Sequence, residues 1–226
     1  MRGMRIRGLS TTPRANGRTR VVSPGAYGRA SPATSRNDVT SKLPAFARGC
    51  DWIGFAAVTG SSESGTCRQD PVAIAATQAE NPNDNPVVED RVRAHRITEV
   101  LPRAVALFDC PAESEGSDVL RALRYLVKQL SARRQPDRAH QIIVFSDLIN
   151  NRGELNINRL DLGESARGRK IKELRDARLL PDMTGYAVTV HGFLRAKTSS
   201  PDRFPLLEGF WREAFESSGA STVDLL

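Results

Sequence analysis

Ser117 and Asp147 are the residues of this chain whose types and settings best suit ligand chemistry, with Asp118 read as a structural residue of its loop. Asp147 follows Ser146 and the apolar run Ile142-Ile143-Val144-Phe145, so its carboxylate would stand at the end of a buried strand. Ser117 and Asp118 follow Gly116 and precede Val119, Leu120, Leu123, Leu126, Val127 and Leu130, a spacing that puts the apolar groups on one helical stripe and makes either residue the N-cap. A hydroxyl and a carboxylate suit a hard cation such as Mg²⁺ or Mn²⁺, which needs near-octahedral oxygen coordination and at least one or two carboxylates. Two groups do not make that shell. The structural alternative is a plain N-cap at Ser117 and a turn hydrogen bond at Asp147.

Enzymatic chemistry finds less support. There is no Gly-x-Ser-x-Gly elbow, no phosphate-cradling P-loop, no His-x-x-x-His and no Gly-x-Gly-x-x-Gly. His95, His140 and His191 are scattered along the chain and read as core-edge residues. A carboxylate cluster of Asp51, Glu63 and Asp147 would suit a metal-dependent hydrolase or nuclease, provided the fold brings the three together. Cys50, Cys67 and Cys110 are odd in number and lack a C-x-x-C pair, which argues for buried thiols rather than disulfides or zinc.

The elements that must position these residues follow from hydrophobic periodicity. Asp51 to Thr59 reads as a strand running into a Gly/Ser loop, and residues 88 to 108 as a helix bent at Pro102. A second helix begins after Ser117-Asp118. His140 to Asp147, with four consecutive apolar residues, suits a parallel strand covered on both faces. Residues 167 to 180 are helix-prone and closed by Pro181. Tyr186 to Phe193 is a further strand, residues 202 to 217 form a helix stopped by Gly219, and residues 222 to 226 form a short last strand. Alternation of this kind implies a doubly wound, mainly parallel sheet with helices on both faces.

The chain has 226 residues, 39% of them hydrophobic, and a net charge of +7. That charge is unevenly placed. The first fifty residues hold ten Lys or Arg against Asp38 alone, while the remainder carries 23 Lys or Arg against 25 Asp or Glu. Residues 1–44, rich in Arg, Ser, Gly and Pro, are therefore expected to be a disordered basic tail, and residues 45–226 the α/β domain. Nucleic-acid binding would rest on that tail alone, because the rest shows neither an RNA-binding aromatic motif nor a recognition helix. No window approaches eighteen apolar residues and no apolar signal core is present, so a soluble, cytoplasmic protein without membrane attachment is expected.

Three segments together resemble the von Willebrand factor A (vWA) superfamily. Gly116-Ser117-Asp118-Val119-Leu120-Arg121-Ala122-Leu123 is similar to its Gly-Thr-Asp-x-x-x-Ala-Leu loop and helix start, Val144-Phe145-Ser146-Asp147 to its strand ending in Ser-Asp, and Thr184 to Gly192 to its next strand. Gly209 to Phe215 with Ser218-Gly219-Ala220 resembles the closing helix of a bacterial branch of such domains. The resemblance covers about residues 45 to 226. It implies a protein-interaction module with a metal-ion-dependent adhesion site, in which Ser117 and Asp147 would be metal ligands. The family's Asp-x-Ser-x-Ser loop after a central first strand has no counterpart. The chain offers only Thr19-Arg20-Val21-Val22-Ser23-Pro24-Gly25-Ala26-Tyr27, so the first strand is expected to be missing or degenerate. A decayed site or a misplaced start would each produce this. The five Lys against twenty-eight Arg fit a GC-rich coding sequence, where such errors arise easily.

The resulting expectation is a non-catalytic module that docks another protein, with no cofactor or a weakly bound Mg²⁺ or Mn²⁺. The rival readings are the Asp147-based hydrolase or nuclease and the basic-armed nucleic-acid binder.

Overall fold

The computed structural model describes residues 18–24, 32–60, 69–109, 116–131, 139–199 and 201–226. They form a six-stranded sheet of order β3-β2-β1-β4-β5-β6. The strands are β1 (Arg18–Pro24), β2 (Cys50–Phe55), β3 (Val72–Ala73), β4 (Ala139–Phe145), β5 (Tyr186–His191) and β6 (Thr222–Leu225). All neighbours are parallel except β2 and β3. The helices are α1 (Pro32–Arg48), α2 (Pro86–Ala106), α3 (Val119–Ser131), α4 (Glu164–Asp176), the short α5 (Leu194–Ser199) and α6 (Phe204–Ser217).

The apolar run in β4 behaves as a doubly covered strand must. Ile142 and Val144 pack into one core with Leu123 and Leu126 of α3, Ile171 and Leu174 of α4, and Phe210, Trp211 and Phe215 of α6. Ile143 and Phe145, on the opposite face, join Ile53 and Phe55 of β2, Val39, Leu43 and Ala47 of α1, and Val100 and Ala104 of α2. Helices therefore cover both faces of a mainly parallel sheet. Among the described residues, no helix is long and apolar enough to cross a membrane.

The largest correction concerns the expected tail. Arg18–Pro24 is the central strand, paired from Thr19 to Trp52 and to His140 and from Val22 to Phe55 and to Ile143. A first strand is thus present, and the domain begins well before residue 45. Residues 1–17 lie outside the described residues. Two things hid the strand: its apolar content is only Val21 and Val22, and it is bounded by Pro24, whose missing N–H is tolerated at a strand's last residue but not in its middle. α1 carries a legible signal, since Val39, Leu43 and Ala47 recur at i, i+4 and i+8 and are all fully buried. The Arg, Ser and Thr residues around them masked it.

Other boundaries move less. α2 starts two residues before the expected position because Asn85 caps it, accepting from the Val87 N–H, with Pro86 following. It continues through Pro102, where a bend is expected. α4 ends at Asp176 rather than residue 180, and α6 is preceded by a 3₁₀ turn at Pro201–Arg203.

Candidate functional site

In a parallel sheet the strand C-termini share one edge, and the loops leaving β2, β4 and β5 meet there. The Asp118 N–H donates to the Thr59 carbonyl at 2.9 Å, which ties the start of α3 to the segment after β2, and the Ser146 N–H donates to the His191 carbonyl at 3.0 Å, which ties β4 to β5. Two side-chain turns then bend the chain beyond β4. Ser146 Oγ accepts from the Leu148 N–H and Asp147 Oδ1 accepts from the Ile149 N–H, each at 3.1 Å. Between them Leu148 adopts φ 58°, an unfavourable left-handed conformation for a branched residue, held by these turns and by complete burial.

Asn150 is the hub of this edge. It is fully buried, and its Oδ1 accepts from the Val119 N–H at 2.6 Å and the Leu120 N–H at 3.2 Å. Its Nδ2 donates to the Arg152 carbonyl at 2.8 Å and to the Leu155 carbonyl. Asp118 Oδ1 takes the next free donor of α3, the Arg121 N–H, at 3.1 Å. The first turn of α3 is thus capped from within the chain, chiefly by a residue 30 to 31 positions away.

Ser117 is not the N-cap. Its N–H donates to Asn151 Oδ1 at 2.8 Å and its carbonyl accepts from the Asn151 N–H at 3.0 Å, so Ser117 and the Asp147 loop are joined through Asn151. Gly116 precedes it at φ 103°, where a Cβ would come within 2.5 Å of Asn151 Oδ1 and Arg152 Cγ. The Gly-Ser-Asp spacing thus has a steric basis, because the two loops approach too closely for any other residue there.

Asp147 is 8% exposed. Burial pushes its carboxyl above the usual range, with the Ile149 N–H and the charge of Arg195 partly offsetting. Arg195 is shared with α1, where its guanidinium meets Asp38 Oδ2 at 3.0 Å. Burial disfavours the charge of Asp38, but hydrogen bonds from Arg195 and Lys42 outweigh it and hold the carboxyl below its ordinary value. Burial also raises Asp118, against the Arg121 N–H and guanidinium. The His191 ring lies between Phe46 and Phe145, with centroids 5.8 and 5.3 Å away, and burial lowers its pKa.

These residues do not complete a divalent-cation shell. Among the described residues no group of three or more His, Cys, Asp and Glu is placed to hold a metal. At this edge Asp118 is engaged with Arg121 at 3.3 Å, and Asp147 accepts from the Ile149 N–H. The hydrolase cluster does not form either. Asp51 sits at the start of β2 in an ion pair with Arg93 at 2.8 Å, a strand length from Asp147, and Glu63 lies outside the described residues. The histidines are equally dispersed. His95 is exposed beside Glu99 on α2, His140 opens β4 against Tyr186, and His191 closes β5. Cys50 is buried, its Sγ 3.1 Å from the Phe46 carbonyl, whereas Cys67 and Cys110 lie outside the described residues.

Asn150, Asn151 and Arg195 are the site residues that sequence reading missed. Asn150-Asn151-Arg152-Gly153 reads only as turn composition, and nothing local to Arg195 pairs it with Asp38 or Asp147.

Because the folded-state pKa of Asp147 is raised, its ionisation costs folding free energy. The penalty is absent below its ordinary value of 3.8 and complete once pH has risen past the folded-state value. Asp147→Asn keeps the acceptor for the Ile149 N–H and removes the charge, so it is expected to stabilise the protein at pH 7 by up to about 1 kcal/mol. Urea denaturation at pH 7 and pH 3 should show that gain shrinking in acid.

The chain matches no family model and no curated protein. Among solved structures it is similar to proximal thread matrix protein 1 from the mussel byssus at 8% identity and TM-score 0.38, over 78% of this chain and 37% of that one. It is also similar to the human COPII-coat protein Sec24c at 11% identity and TM-score 0.33, over 90% of this chain and 32% of that one. The chain thus spans about a third of the length of each.

Proposed function

We propose that this chain is a non-catalytic protein-interaction module of vWA type, doubly wound, whose loops at the strand C-terminal edge dock an acidic or backbone group of another protein. The observation that carries the reading is that Asn151 joins Ser117 to the loop that follows Asp147 at that edge, a loop that also caps α3 through Asn150. The sheet order, with β1 central and antiparallel β3 at the edge, supports the same reading. Its metal-ion-dependent adhesion site is incomplete, with Ser117 and Asp147 as remnants of the ligand set. A single carboxylate dehydrates Mg²⁺ poorly.

Stabilisation by a ligand follows RT ln(1 + [L]/Kd), so an ion near 1 mM with a Kd of several millimolar adds less than about 0.5 kcal/mol. Mg²⁺ or Mn²⁺ at about 1 mM is therefore expected to leave the melting temperature nearly unchanged. A rise of several degrees that disappears in Asp147→Asn would show a complete site instead. Docking is tested by a photocrosslinker at Glu154, exposed beside Arg121, in the cells that make the protein. A discrete adduct lost in Asp147→Lys but indifferent to EDTA supports the reading, and an adduct that EDTA abolishes overturns the incomplete-site part of it.

A further inference from the structure

The opposite edge of the sheet, where the parallel strands begin, carries two adjoining cavities of about 380 and 350 Å³ that share Leu180, Pro181 and Asp182 as a common wall. Arg124 and Lys128, one turn apart on α3, line the first, and Arg175 and Arg178, at the end of α4, line the second. Elsewhere Arg93, Arg96, Arg167, Arg195 and Arg212 each meet a carboxylate within 3.2 Å. Among the described residues, none of the four groove cations makes an ion pair. Asp182 also lines the groove, and its Oδ1 accepts from the Thr184 N–H at 3.1 Å and hydroxyl at 2.7 Å.

We infer that this groove is a second docking site, one that takes an extended acidic segment of a partner protein. It is independent of the Ser117–Asp147 edge. Four cations in two pairs, separated by the Leu180-Pro181 wall, match carboxylates spread along a chain better than one compact anion. α3, α4 and α6 all bring their C-terminal ends here, whose partial negative charge disfavours a compact dianion and a carboxylate alike, so the attraction rests on the four cations. Single-stranded nucleic acid needs exposed aromatic faces for stacking, and the one aromatic ring in the lining, Tyr186, is 1% exposed.

Basic residues near helix C-termini also serve simply to offset the helix dipole, and Arg178 separates the two roles. Its φ of 57° places it in the left-handed region just past α4, where glycine is the favoured residue. If Arg178 serves the fold, Arg178→Gly lowers the melting temperature. If it serves a ligand, the same change leaves the melting temperature equal or higher and weakens binding.

The experiment uses the full chain and a fluorescein-labelled hexaglutamate peptide, with anisotropy read at about 20 mM salt, where screening is weak. The wild type is expected to bind, with affinity falling as salt rises. The pairs Arg124→Glu with Lys128→Glu and Arg175→Glu with Arg178→Glu should each weaken binding by about tenfold or more. The control pair Arg91→Glu with Arg103→Glu on α2 should change it by less than about twofold, and Arg178→Gly should bind more weakly without melting earlier. Absence of wild-type binding, equal loss in the control pair, or a lower melting temperature in Arg178→Gly overturns the proposal. Tighter binding of a labelled oligothymidylate, lost in the same variants, overturns it in favour of a nucleic-acid surface.

Discussion

A chain shortened to begin at residue 45 is expected to lose its cooperative unfolding transition. β1 is hydrogen-bonded to β2 on one side and β4 on the other, so removing it leaves two half-sheets with unpaired edges and no backbone link between them. The same truncation removes Val39 and Leu43, which cover Ile53, Phe55, Ile143 and Phe145. A single substitution measures part of this. Leu43 is 1% exposed, and Leu43→Ala in the full chain should cost about 2 to 5 kcal/mol, the range for a buried leucine that leaves a cavity. Trp52 on β2 and Trp211 on α6, which packs against β6, report on the two halves of the sheet either side of β1 in urea denaturation. Their transitions should coincide in the full chain. Retention of the full chain's midpoint by the truncated one would refute the placement of β1.

Asn150→Ala is expected to be nearly as damaging, at about 3 to 5 kcal/mol. The alanine leaves the Val119 and Leu120 N–H groups and the Arg152 and Leu155 carbonyls without their side-chain partner, and each buried group so orphaned costs about 1 to 3 kcal/mol before relaxation. For a domain of this size that is a fall of roughly 10 °C in melting temperature. Asn150→Asp keeps the acceptor for α3 and loses both donors, so it should fall between the wild type and alanine. If Asn150→Ala melts within a degree or two of the wild type, the trans-capping of α3 does not hold the edge together.

The legibility of this chain follows apolar density. β4 was readable because Ile142 to Phe145 are consecutive and both faces are covered, and α3 because its stripe is uninterrupted. β1 and α1 were not, since net charge and Gly/Ser content dominate a composition reading, whereas two valines suffice for a strand that gains its stability from neighbours on both sides. At the site, Ser117 and Asp147 were legible as types at strand and helix ends. Asn150 was not, because capping a helix from a distant loop leaves no local spacing to detect. Arg195 illustrates the same limit, since its ion-pair partner Asp38, and Asp147 whose charge it favours, are brought near it only by the fold.

The central position of β1 also orders events during synthesis. Thr19 emerges from the ribosome about 120 residues before His140, its partner in the sheet. At about 5 to 20 residues per second, the nascent chain spends on the order of ten seconds with that edge of β1 unfilled. Through that interval the only ladder available to β1 is the parallel one to β2. A pairing of such long sequence separation closes slowly, and an open strand edge invites the wrong neighbour. The growing chain therefore depends on whatever shields that edge until β4 arrives.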